Sequence, residues 1–266
     1  MAPPASRAPS AAGVEPRTYR SRVTAGRLAS FQVVVRETDL MIRASRDERE
    51  AALRLVGEHR ALLEAYIRAH PGFLSALSPW TARGPAPALV QEMIAAAAAA
   101  GVGPMAAVAG AIAARVGCGL LESSEEVIVE NGGDIFLKTA APATVALYAG
   151  GSPLSLRIGV VVDGRGQPMA VCTSSGTIGH SLSFGRADAA CVVARSCALA
   201  DAAATAVGNR VQSPRDLRRA IAAGRRIPGV EGLVIVAGDQ VAFWGAVELV
   251  ALAAEKGLNF GAEASK

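Results

Sequence analysis

Six short apolar segments, at 126–130, 134–138, 144–148, 156–162, 168–173 and 188–194, follow one another with turn or loop residues between them and no helical pattern. Asn131-Gly132-Gly133 and Asp163-Gly164 are the turns at two of these joints, since glycine supplies the positive φ that tight hairpins need. Ala-rich helical stretches lie on both sides of the block. Two are expected at 88–99 and 104–117, split by the break at Gly101–Pro104, and one at 197–208. Strands and helices that come in blocks, without strict alternation, argue an α+β fold: a largely antiparallel sheet packed with Ala-rich helices.

The flanking segments fit that frame. Residues 18–45 read as a hairpin with Ala25-Gly26 at its turn. From Arg46 to His70, Ala52, Leu53, Val56, Leu62, Leu63, Tyr66 and Ile67 recur at helical spacing, and Pro71 ends the helix. A Pro/Gly-rich connection follows. Pro214 sits near the start of a shorter helix, and GLVIVAGDQVAFWG closes the fold as a hairpin on Gly238-Asp239. Residues 1–16 lack the apolar core of a secretory signal and read as a disordered tail. Residues 17–266 then form a single domain.

No apolar run approaches the length of a membrane span, so a cytoplasmic protein with no membrane partner is expected. The formal charge of +4 rests on Arg, with Lys only at 138, 256 and 266. Joint Arg and Ala enrichment has the look of a genomic composition bias. No basic run interleaves with aromatics, which argues against a nucleic-acid partner. The cluster of Arg215, Arg218, Arg219, Arg225 and Arg226 reads as a solvated helix face. Cys118, Cys172, Cys191 and Cys197 have no CxxC spacing and lie in apolar surroundings, the pattern of buried thiols.

The chemistry concentrates between Val127 and Asn209. Asp201 and Thr205, four residues apart on an Ala-rich helix, project from one face and can offer oxygens to a hard cation such as Mg²⁺. That pairing points to a phosphate-bearing ligand. The ordinary alternative is a buried ion pair between Asp201 and Arg195 or Arg210. Thr173-Ser174-Ser175-Gly176-Thr177 exposes hydroxyls and backbone N–H groups that can cradle phosphate, although a solvated loop would have the same composition. His180, just beyond, is suited to general-base work near neutral pH. Gly132 and Gly133 would let a ligand approach the backbone closely, with Asp134 at the turn's edge.

Taken in order, these segments resemble the ApbE family, whose members transfer FMN from FAD onto a protein threonine. The resemblance runs from Gly110-Ala111-Ile112-Ala113 through NGGDI at 131–135 and the Thr-Ser-Ser-Gly loop with His180 to D-A-x-x-T at Asp201–Thr205. It implies FAD and Mg²⁺ as cofactors, the metal held by Asp201, Thr205 and a carbonyl near Ala111, and His180 as the base that activates an acceptor protein's threonine. It also implies a flavin pocket lined by Gly132, Gly133 and Asp134. Two departures stand out: Ala114 and Arg115 replace the family's Lys, and HSLSFG replaces H-x-x-D-P-x-T-G. With ENGGDIF and SSGTIGHS, the chain is similar to an ApbE-like branch set apart from the flavin transferases. Two functions follow from the resemblance. One is an enzyme that transfers FMN or cleaves the FAD pyrophosphate, and the other is a non-catalytic flavin or nucleotide carrier.

Overall fold

The computed structural model describes residues 28–82, 84–176 and 184–252. Eleven strands and six α-helices are found among them. Strands β1 (Ala29–Val35) and β2 (Thr38–Ala44) form the first hairpin and are followed by α1 (Arg49–Ala69), the short α2 (Gly72–Ser75), α3 (Ala88–Ala100) and α4 (Val108–Leu120). The strand block comprises β3 (Val127–Asn131), β4 (Asp134–Lys138), β5 (Ala143–Ala146), β6 (Ile158–Val162), β7 (Met169–Ser174) and β8 (Ala189–Ala194). Then come α5 (Cys197–Gly208), α6 (Leu217–Gly224), β9 (Val230–Ala237), β10 (Gln240–Gly245) and β11 (Glu248–Ala251).

Eight strands make one antiparallel sheet in the order β1-β2-β3-β4-β7-β8-β9-β10, and β11-β6-β5 make a second, three-stranded sheet. The α+β reading of the sequence therefore holds. The larger sheet is the middle of three layers. On one face Val129, Phe136, Cys172, Val192 and Ile235 pack against the helices. On the other, Ile128, Leu137, Val171, Val193 and Val234 meet Val145 and Val160 of the small sheet. Covered on both sides, β8 is buried at every residue, which explains why AACVVA shows no polar alternation.

The structure moves several boundaries. The first hairpin turns at Arg36-Glu37, with Arg36 in the left-handed region at φ 53°, while Ala25-Gly26 lies outside the described residues. The helix expected at 104–117 begins as a 3-10 turn over Pro104–Ala107 and becomes α-helical only at Val108. Proline fixes its own φ and lacks an N–H, which suits the first turn but delays regular helix. The second sheet and its strand β11 had no counterpart in the sequence reading. Cys118 is exposed, unlike the other three cysteines, because it falls on the outer side of α4. Among the described residues, no single helix is long and apolar enough to cross a membrane.

Candidate functional site

Helix α4 begins without a cap of its own. Ala107 at its N-cap offers only a methyl group, so the first N–H groups of the helix must find acceptors elsewhere. Asp201 supplies one from α5. Its Oδ2 accepts from the Gly110 N–H at 2.9 Å, and the Ala109 N–H also serves the carboxylate. Ala109 and Gly110 are the second and third residues of α4, the two donors that a capping side chain ordinarily satisfies. Asp201 thus caps a neighbouring helix.

The close crossing of α4 and α5 depends on the glycine. A Cβ added at Gly110 would strike the Cys197 carbonyl and lie 2.9 Å from the Asp201 Cβ. Burial pushes the Asp201 carboxyl well above the usual range, and the charge of Asp134 adds to the rise; the Gly110 and Ala109 donors work the other way. The expected arginine partners are engaged elsewhere. Arg195 pairs with Glu231 at 3.0 Å, and Arg210 donates to the Ala206 carbonyl. A backbone cap takes the place of the ion pair that sequence alone offered as the alternative.

Asp134 stands where β4 leaves the hairpin turn, paired across it with Asn131. Gly132 takes φ 77°, and a Cβ on Gly133 would sit 2.8 Å from the Thr173 carbonyl, so both glycines are demanded by geometry. Asp134 is only 8 % exposed. Burial raises its carboxyl to about 7, helped by the charge of Glu130, against the lowering effect of donors from the Cys172 thiol and the Thr173 N–H. Cys172 and Cys197 bring their sulfurs to 3.6 Å from one another beneath this pair of acids. Burial, foremost, raises the Cys172 thiol, and both carboxylates oppose its ionisation.

One cluster therefore gathers Asp134, Asp201, Cys172 and Cys197 on the helix-facing side of the large sheet. Thr205 follows Asp201 by one turn of α5. The two are partly exposed, whereas Ala202–Ala204 and Ala206–Gly208 are buried, so the helix opens to solvent along their shared face. Ala111 is fully buried in α4, next to Gly110. Among the described residues, no group of three or more His, Cys, Asp or Glu side chains is placed to hold a metal ion.

The Ser/Thr-rich loop divides. The Thr173 side chain turns to the small-sheet face, where it bonds with Cys191, and only its N–H reaches the acids. Ser174 faces the helices beside Gly208, and Ser175 leads to Gly176, whose N–H donates to the Ala187 carbonyl at 2.9 Å. Glycines pack backbone on backbone here: a Cβ at Gly176 would strike Gly185, and one at Gly185 would strike Gly208. The two ends of the loop are thereby pinned to the C-terminal end of α5. Thr177 and His180 lie outside the described residues. Sequence reasoning missed the capping of α4 by Asp201 and the role of Asn131, whose Nδ2 donates to the Ala109 carbonyl at 3.1 Å. The available signal was Gly110, the glycine in the first turn of an Ala- and Gly-rich helix.

A family model described as AbpE bacteria matches residues 20–227. The chain belongs to this family. Its relatives include a UPF0280 protein of Methanocella arvoryzae, 41% identical over 222 residues that cover 82% of this chain and 88% of that one. A UPF0280 protein of Methanopyrus kandleri is 40% identical over 223 residues, covering 81% and 90%. Among solved structures, the apo form of the Pseudomonas stutzeri flavinyl transferase ApbE covers 82% of this chain and 94% of its own, at a TM-score of 0.53 and 15% identity. That likeness fixes the ApbE fold. The AbpE relationship and the UPF0280 relatives together agree with an ApbE-like branch distinct from the transferase named in that structure.

Proposed function

We propose that this AbpE-family protein is a Mg²⁺-dependent enzyme acting on the pyrophosphate of FAD, passing FMN to a protein threonine or to water. The observation that carries the reading is the opening on α5. On a helix otherwise packed in the core, Asp201 and Thr205 alone of the Ala200–Gly208 segment are partly exposed residues, and Asp201 lies within reach of the Asp134 charge at the hairpin turn.

The donor set fits a hard cation. Asp201 and Thr205 offer a carboxylate and a hydroxyl, with a carbonyl near Ala111 as a third oxygen. Mg²⁺ commonly takes one or two carboxylates and fills its remaining positions with water and substrate phosphate. When bound, the cation supplies charge neutralisation at the pyrophosphate. The residues of the chain do the rest. The Ala109 and Gly110 donors aim the Asp201 carboxylate and favour its charged form, while the open space at Gly132 would let the nucleotide approach the backbone. His180 would take the proton from the attacking hydroxyl as its oxygen bonds to the phosphorus of the FMN half; the bond to AMP breaks and AMP leaves.

Incubation of the protein with FAD, Mg²⁺ and a threonine-bearing acceptor peptide, with AMP and FMN followed separately, tests the proposal. AMP release that requires Mg²⁺ is the expected result, and FMN that ends up on the peptide would separate transfer from hydrolysis. FAD bound without either product overturns the enzymatic reading in favour of a carrier.

A further inference from the structure

We infer that Asn131 is a positioning residue for Asp201, acting through the first turn of α4. The side chain leaves the end of β3 on the helix-facing side of the sheet, and its amide donates to the Ala109 carbonyl at 3.1 Å. On the same peptide group, the Gly110 N–H donates to Asp201 Oδ2 at 2.9 Å. The Ala109 N–H also serves that carboxylate. One turn of backbone is thus gripped at its carbonyl by the hairpin and presents its N–H groups to α5.

The turn has no side-chain cap from its own N-terminus. Ala107 cannot cap it, and a 3-10 turn precedes it where regular helical bonding has not begun. Gly110 has no side chain to lock its orientation, since the crossing with α5 leaves no room for one. Asn131 is also fixed at its own base: it closes the two-residue Gly132-Gly133 turn in register with Asp134. The Asn131 amide thus links the glycine turn to the donors that hold Asp201. Residues that orient a cation-binding carboxylate in this way commonly alter metal affinity by about ten- to a hundredfold when removed.

This inference rests on the Mg²⁺ role proposed for Asp201, and its test separates the two. Wild type, Asn131→Ala, Asn131→Asp and Asp201→Ala are compared in two measurements: the Mg²⁺ concentration that half-saturates FAD binding, and hydrogen exchange at the Gly110 amide. Asn131→Asp keeps the shape of the side chain and, with the measurements made at pH 8 to ionise the carboxylate, lacks the donor, so it tests the hydrogen bond apart from packing. The expected result is a rise of about tenfold or more in half-saturating Mg²⁺ for both Asn131 variants. Faster exchange at Gly110 and little change in FAD affinity without Mg²⁺ should accompany it. Asn131 variants that match wild type in both measurements, while Asp201→Ala loses the Mg²⁺ response, overturn the positioning role and leave the Mg²⁺ reading intact. Wild type with no Mg²⁺ response overturns the underlying reading. In that case unchanged Gly110 exchange in the Asn131 variants would overturn the positioning role as well.

Discussion

Asp134 is the residue whose environment departs furthest from what its sequence neighbours suggest. In NGGD it reads as a turn residue, and turn aspartates are ordinarily solvated. Here the side chain points under the helices, 8 % exposed, and holds its proton up to a pH of about 7. Its folded-state value is raised above the ordinary 3.8, so the native state binds that proton more tightly than the unfolded chain does. The resulting stability is fully present below 3.8 and is lost as pH rises through about 7. Melting temperature should therefore fall between pH 4 and 7, and Asp134→Asn should flatten that part of the profile. An unchanged slope in the variant would show that Asp134 is ionised in the folded protein. The same burial explains why the sequence could not reveal the pair of acids. Asp134 and Asp201 are 67 positions apart (201 minus 134), and only the pairing of β4 with β7 beneath α5 brings them together.

At the scale of elements, the crossing of α4 over α5 makes the site. Ala-rich helices permit close approach, and Gly110 permits the closest of all, at Cys197 and Asp201. Gly110→Ala should cost about 1–3 kcal/mol, the usual penalty for forcing a methyl group into a packed contact. A denaturation midpoint that does not move would mean that the helices separate freely. Asp201 has two claims on it, as cap and as charged oxygen donor. Asp201→Asn keeps an acceptor for the Ala109 and Gly110 N–H groups and removes an ionisable group that burial disfavours. It should melt at or above the wild-type temperature at pH 8 while losing any Mg²⁺ response. A clear drop in melting temperature would instead make Asp201 mainly a structural charge. Helix α5 itself was legible to the residue, 197–208, because Ala, Cys and Val recur there without a break and Asn209 follows. The start of α4 was not, because Pro104 marks a helical beginning in sequence while the backbone spends four residues in a 3-10 turn.

For the whole molecule, the blocks of strands and helices were enough to give an antiparallel α+β architecture, and the β3–β4 and β9–β10 turns are written in Gly and Asp. The division into two sheets was not legible. Strands β5, β6 and β11 carry the same apolar pattern as the others, and only three-dimensional packing decides which layer they join. Asp134, Asp201 and Thr205 were picked out by residue type and spacing, and the structure brings the first two together. The trans cap, the Cys172–Cys197 contact and the Asn131 bridge depend on distant segments and could not be read this way. Asp201 and Thr205 lie one turn apart on α5, and the central proposal is that they hold Mg²⁺ against a flavin nucleotide's phosphates. Calorimetric titration with FAD, with and without Mg²⁺, in wild type and Asp201→Ala tests it most directly. Tight binding that requires both Mg²⁺ and Asp201 is the predicted result, because a hydroxyl and a carbonyl alone bring no negative charge to a hard cation. Equal affinity in the two proteins, whether or not Mg²⁺ is present, would contradict it.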